Sequence, residues 1–105
     1  MKQHITPSQA QEITEEQFYS LFDEIVKRKD WANFHHKKVA IGKCIEIIDG
    51  YSCWRIEDEG YNHECTLTLF KTKFHEFPIA KFKYEGLINT LWATVKFILK
   101  EREDT

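Results

Sequence analysis

Hydrophobic positions along this chain change their spacing more than once. Phe18, Leu21, Phe22, Ile25 and Val26 stand at i, i+3, i+4, i+7 and i+8, one face of a helix. Thr14 and Gln17 have the spacing of a capping box, and Ile13 and Phe18 can form the hydrophobic staple beside it. Lys27, Arg28 and Lys29 fall in the last turn, where cations suit the negative end of the helix dipole. The spacing predicts a helix over 14–29. Trp31 and Phe34, in the connector that follows, are expected to plug the core.

The segment VAIGKCIEIIDG, residues 39–50, reads two ways. Its β-branched residues suit a strand. Ile41, Cys44, Ile45 and Ile48, however, fall at helical intervals, and strict alternation sorts polar from apolar poorly. A helix over 39–49 is the expectation, with Gly50 as a positive-φ residue just after it. Gly42 weakens that helix by about 1 kcal/mol relative to alanine.

From Tyr51 the period becomes two. YSCWRIEDE and HECTLTLFKTKF flank GYN, a hairpin interruption. Cys65, Leu67 and Leu69 alternate with Thr66 and Thr68 and should face inward, with Trp54 and Ile56 as their counterparts. After Pro78, IAKFKY offers a third strand, with Ala80, Phe82 and Tyr84 on one face and Lys81 and Lys83 on the other. A closing helix then buries Leu87, Ile88, Leu91, Val95, Ile98 and Leu99. The predicted order is α-α-β-β-β-α. That order gives an α+β two-layer sandwich, a three-stranded antiparallel meander with helices on one face. Residues 1–13 are polar, contain Pro7 and show no period. They read as a flexible N-terminal arm, and 14–105 as a single domain.

Two stretches carry a resemblance. VAIGKCIEII, before the hairpin, and LINTLWATVKFILK, after the last strand, resemble small phage- and prophage-encoded proteins of the αβα-type sandwich kind. In those, a TIGK-x-IE-x-(I/L) segment and an LCDALWEAVKYVL-type helix recur around a short sheet. The resemblance covers 39–100. Here Ala40 stands where a helix-capping Thr is usual, and Asn89 and Thr90 replace an acidic-small segment. The resemblance implies a fold and a phage setting, and it transfers no catalytic residue.

Composition narrows the function. A chain of 105 residues with 42% hydrophobic and 14% aromatic content supports one packed core. A net charge of −2 lacks the basic field of a dedicated nucleic-acid binder. Three cysteines do not make a disulfide framework and are read as thiols. With no leader pattern and no long apolar run, the expectation is a soluble protein of the bacterial host cytoplasm, with no membrane partner.

The stretch CWRIEDEGYNHEC holds the residues that look reactive. Zinc clips use cysteines two to four apart, because one tight turn must offer two thiolates to one ion. Cys53 and Cys65 are farther apart, and a site would have to borrow His35, His36 or His75 beside His63. If a three-residue loop at 58–60 closes the hairpin, the two cysteines would lie directly opposite each other. Glu57, Asp58 and Glu59 are expected on a solvated tip. Adjacent acids there do not converge as a catalytic pair must. The side chains of His35 and His36 diverge on an extended chain. No catalytic residue, metal site or cofactor is assigned.

The remaining candidate is a stripe of Phe70, Lys71, Lys73, Phe74, Lys81 and Lys83. Cations beside aromatics neutralise phosphates and stack bases of a single strand. Cations outside and aromatics inside also describe an ordinary amphipathic sheet, with lysines guarding its edge. The expected function is that of a small non-enzymatic phage-type accessory protein that binds protein, either a second copy or a host factor. Single-stranded nucleic-acid binding through the stripe is the alternative. A hydrolase or nuclease using His63 and the acids at 57–59 is disfavoured.

Overall fold

Cys53–Asp58 (β1), Glu64–Phe70 (β2) and Pro78–Glu85 (β3) form one antiparallel sheet in the order β1-β2-β3. The structure is a computed structural model, and it describes residues 4–21, 39–58, 64–71 and 78–103. Helices accompany the sheet at Pro7–Ala10 (α1), Glu15–Ser20 (α2), Ile41–Tyr51 (α3) and Leu87–Glu103 (α4). This is the expected α+β arrangement, with helices first, a three-stranded meander, then a closing helix.

The register explains the alternation. Trp54 faces Leu69 and Ile56 faces Leu67 across the first pair, while Ala80 and Phe82 face the same two leucines across the second. Residues directly opposite in an antiparallel pair share a face. These six side chains therefore line the side that α4 covers, and Leu67 and Leu69 are fully buried there. Complete burial of a leucine contributes about 1.5–3 kcal/mol.

The segment that fits both strand and helix is a helix. Cys44, Ile47 and Ile48 are buried on its inner face, with Ile41 and Ile45 half-buried beside them. Ala40 at its N-cap makes no side-chain cap bond. Gly50 is not the residue after the helix, because the helix runs on through Tyr51. Ser52 ends it with an extended backbone, its N–H donating to the Ile48 carbonyl. The Ser52 hydroxyl donates to the Phe70 carbonyl, and the Trp54 indole N–H donates to the Asp49 carboxylate. These two bonds fasten the end of α3 to the sheet.

Thr14 and Gln17 form the expected capping box, with bonds of 2.8 and 3.1 Å, and Ile13 and Phe18 are both buried beside it. The rest of that predicted helix, together with Trp31 and Phe34, lies outside the described residues.

The loose arm expected over 1–13 is corrected from His4 onward. Thr6 and Gln9 form a second capping box around α1, with Pro7 in its first turn. His4 bridges to Ala40, and Ile5 donates its N–H to the Val39 carbonyl at 3.1 Å. Ile5, Ala10 and Ile13 are buried. Three apolar anchors on a ten-residue segment offset the entropy of holding it, which a polar reading of 1–13 overlooks.

The closing helix buries more than one stripe. Thr90 and Thr94 are fully buried alongside the predicted apolar positions, and Trp92 and Ala93 are buried too. The Thr90 hydroxyl lies within 3.0 Å of the Gly86 carbonyl oxygen and 3.2 Å of those of Cys65 and Tyr84. Thr94 donates back to Thr90 at 2.9 Å. Asn89 and Thr90, two of the three departures noted in the sequence, thus have local roles. Thr90 seats the helix on β2 and β3, and Asn89 donates to the Glu85 carbonyl at 2.8 Å. Gly86, at φ 85°, makes the turn between strand and helix in a region that disfavours a Cβ.

Candidate functional site

The reactive-looking hairpin does not gather its groups. Asp58, not Cys53, stands across from Cys65, while Cys53 stands across from Phe70. β1 extends through Asp58, so the two cysteines lie at opposite ends of the ladder instead of facing each other. Positions 65 and 70 differ in parity, which also puts the cysteines on opposite faces. Cys44 and Cys65 are buried and Cys53 half-buried, all three as free thiols. Burial pushes the Cys44 thiol up to about 12, against a lowering contribution from a backbone hydrogen bond. Glu57 lies within β1, not on a loop tip, and pairs with Arg55 at 2.8 Å. His35, His36, Glu59, His63 and His75 lie outside the described residues. Among the described residues no three His, Cys, Asp or Glu side chains converge as a metal site.

The Lys/Phe stripe separates by strand parity. Lys81 faces Thr68 and Lys83 faces Thr66, on the side of the sheet away from α4. Phe82 points the other way and meets Phe97 edge-on at 5.5 Å. Phe70 is buried, with the Arg55 guanidinium 5.8 Å from its ring centre, at a point where the β2–β3 register shifts. Lys71 is exposed just beyond β2, and Lys73 and Phe74 lie outside the described residues. Cations and aromatics on β3 are therefore back to back rather than side by side.

Among the described residues, the face away from α4 is also not basic. By register it carries Arg55, Lys81 and Lys83 together with Glu57, Glu64 and Glu85. Lys83 pairs with Glu64 at 3.4 Å. Thr66, between Glu57 and Lys83, is buried with its hydroxyl unpartnered among the described residues. Among the described residues, three cations against three anions give this face no net basic field.

The feature that sequence alone does not single out is β3 itself. Among the described residues it is an edge strand of eight residues. Ile79, Lys81, Lys83 and Glu85 are exposed on its open side, and Tyr84 is exposed on the helix side. Ile79 at 44% and Tyr84 at 49% are the exposed large hydrophobics among the described residues, and both belong to this strand. On the helix side the central strand β2 is buried, while Ala80 and Phe82 of β3 are half-buried, as are Trp54 and Ile56 of β1.

A separate surface depression of about 280 Å³ lies between α2, α3 and the end of α4. Lys43, Glu46 and Arg102 line it with both signs of charge, and Lys43 reaches Glu46 at 3.6 Å. Ser20 also lines it, its hydroxyl donating to the Gln17 carbonyl at 2.6 Å.

No protein-family model, characterised protein or solved structure matches this chain. Among the described residues no helix is long and apolar enough to cross a membrane.

Proposed function

We propose that this chain is a small non-enzymatic accessory protein of the phage type, and that it works by binding protein along the outer edge of β3. One observation carries the reading: the exposed Ile79 and Tyr84 both sit on this under-covered edge strand. An unpaired edge presents a row of backbone donors and acceptors to an incoming strand. Alternate side chains then set specificity, with Ile79, Lys81, Lys83 and Glu85 above the sheet and Phe82 and Tyr84 below. The balanced charges of the described residues on the face away from α4 favour a protein partner over nucleic acid.

The test is affinity capture from bacterial lysate and self-capture of the purified chain. Each is run with the wild type and with the double variant Ile79→Lys/Tyr84→Lys. Both positions are exposed, so the variant should keep its circular-dichroism spectrum. Binding to the wild type that disappears in the variant supports the reading. Identical capture by both proteins, or none by either, removes it.

A further inference from the structure

We infer that the occupant of this edge is a second copy of the chain, paired β3 to β3 in antiparallel fashion about a two-fold axis at Lys83. The inference rests on the docking reading above and names its partner. Residues directly opposite in an antiparallel pair share a face. A two-fold axis through the sheet must therefore match positions of equal parity, which leaves few registers for Pro78–Glu85.

Centring on Phe82 sets Lys81 against the partner's Lys83 twice, like charge on like charge. Centring on Lys81 sets Tyr84 against the partner's Pro78 and leaves Glu85 without a cation. Centring on Lys83 sets Lys81 against the partner's Glu85 twice and Phe82 against the partner's Tyr84 twice. Centring on Tyr84 would pair only residues 83–85 of the strand, so of the four registers the one at Lys83 alone satisfies both faces over five residues. It also answers two features already present. Within the chain Glu85 lies across from Glu64, carboxylate against carboxylate, and an incoming Lys81 supplies the missing cation. Tyr84, 49% exposed, gains a half-buried Phe82 ring as its neighbour. The one like-charge contact falls at the axis, where each Lys83 is already paired with its own Glu64 at 3.4 Å.

Lysines on an edge oppose indiscriminate strand addition. An edge guarded in this way admits a strand that brings a carboxylate opposite Lys81, and this chain's own β3 does so. The product is a continuous sheet in the order β1-β2-β3-β3-β2-β1.

Analytical ultracentrifugation of the intact chain tests the register by charge swapping. Lys81→Glu alone and Glu85→Lys alone each turn two symmetry-related attractions into repulsions, and each should weaken dimerisation about tenfold or more. An equimolar mixture of the two variants should restore the dimer, because every 81–85 contact again joins opposite charges. Lys83→Cys in a Cys53→Ser background should form an intermolecular disulfide on mild oxidation, since facing Cα atoms about 4.5–5.5 Å apart suit that bond. Lys81→Cys in the same background should not. A wild type that stays monomeric at all concentrations, a mixture no tighter than its components, or cross-linking at 81 instead of 83 would each overturn the proposal. If the wild type is monomeric while another protein is still captured in an Ile79- and Tyr84-dependent way, the second copy is ruled out and the docking reading stands. If capture fails as well, both fall.

Discussion

The Gln9 side-chain amide donates to the Asn89 side-chain oxygen at 2.8 Å, joining the first helix to the last. Both residues are already committed locally. Gln9 accepts from the Thr6 N–H at 2.9 Å to close its capping box, and Asn89 donates to the Glu85 carbonyl at 2.8 Å. Lys96 and Glu12 add an ion pair at 2.6 Å across the same seam. The start of the chain is thus tied to the strand-to-helix turn that follows β3.

Gln9→Ala and Asn89→Ala should each lower stability by about 1 kcal/mol in urea unfolding. Because the two share one bond, the double variant should cost less than the sum, by about 0.5 kcal/mol or more. Strict additivity would mean the bond contributes nothing. Lys96→Ala is expected to matter less, since that pair is partly exposed and solvent-screened.

The glycines should divide by backbone and not by composition. Gly86→Ala forces a Cβ into a positive-φ turn and should cost about 1–2 kcal/mol. Gly42→Ala and Gly50→Ala place a methyl in open space within α3 and should each stabilise by about 0.5–1 kcal/mol. Thermal unfolding of the three variants checks the signs. A destabilised Gly50→Ala would show that this position is not helical.

Much of the fold is legible in the spacing. Thr14 and Gln17 announce their helix because a capping box is local chemistry, and Leu67 and Leu69 announce a buried sheet face because strand parity is strict. Thr6 and Gln9 carry the same box, but a single turn of helix is too short for a periodic stripe, so periodicity passes over it. Gly50 satisfies the composition rule for a helix end. Whether the helix stops there depends on Ser52 and Trp54 fastening the next residues to the sheet. The Lys/Phe stripe is visible as composition, and alternation already sends Lys81 and Phe82 to different faces. The exposure of β3 is not visible in sequence. It depends on which side chains the folded sheet leaves uncovered at its edge, a tertiary quantity.

Cys44 makes stability depend on alkaline pH. Its folded-state pKa is raised from the ordinary 9.0 to about 12 by burial. Between those values the unfolded chain loses this proton and the folded chain keeps it, so the unfolded state binds fewer protons. Stability should therefore be intact below about pH 9 and fall above it, by about 1.4 kcal/mol per pH unit at most. Cys44→Ala should flatten that slope while lowering stability at neutral pH. An unchanged slope would place its source elsewhere. In the native wild type, a thiol reagent should find Cys44 only after unfolding.

Single-stranded oligonucleotides should not bind through the sheet. Lys81 and Lys83 lie on the face opposite Phe82, and Glu57, Glu64 and Glu85 balance the cations there. A mobility-shift assay at low salt should show no complex. A shift that weakens steeply with added salt and is lost in Lys83→Glu would revive the nucleic-acid reading.

The central claim is that the outer edge of β3 is where protein docks. Amide hydrogen exchange across a concentration series, or with a captured partner, reads that edge residue by residue. Protection should rise selectively within Pro78–Glu85 as the complex forms, while β1 stays unchanged. Complex formation with no added protection in that strand, or with protection confined to β1, would contradict it.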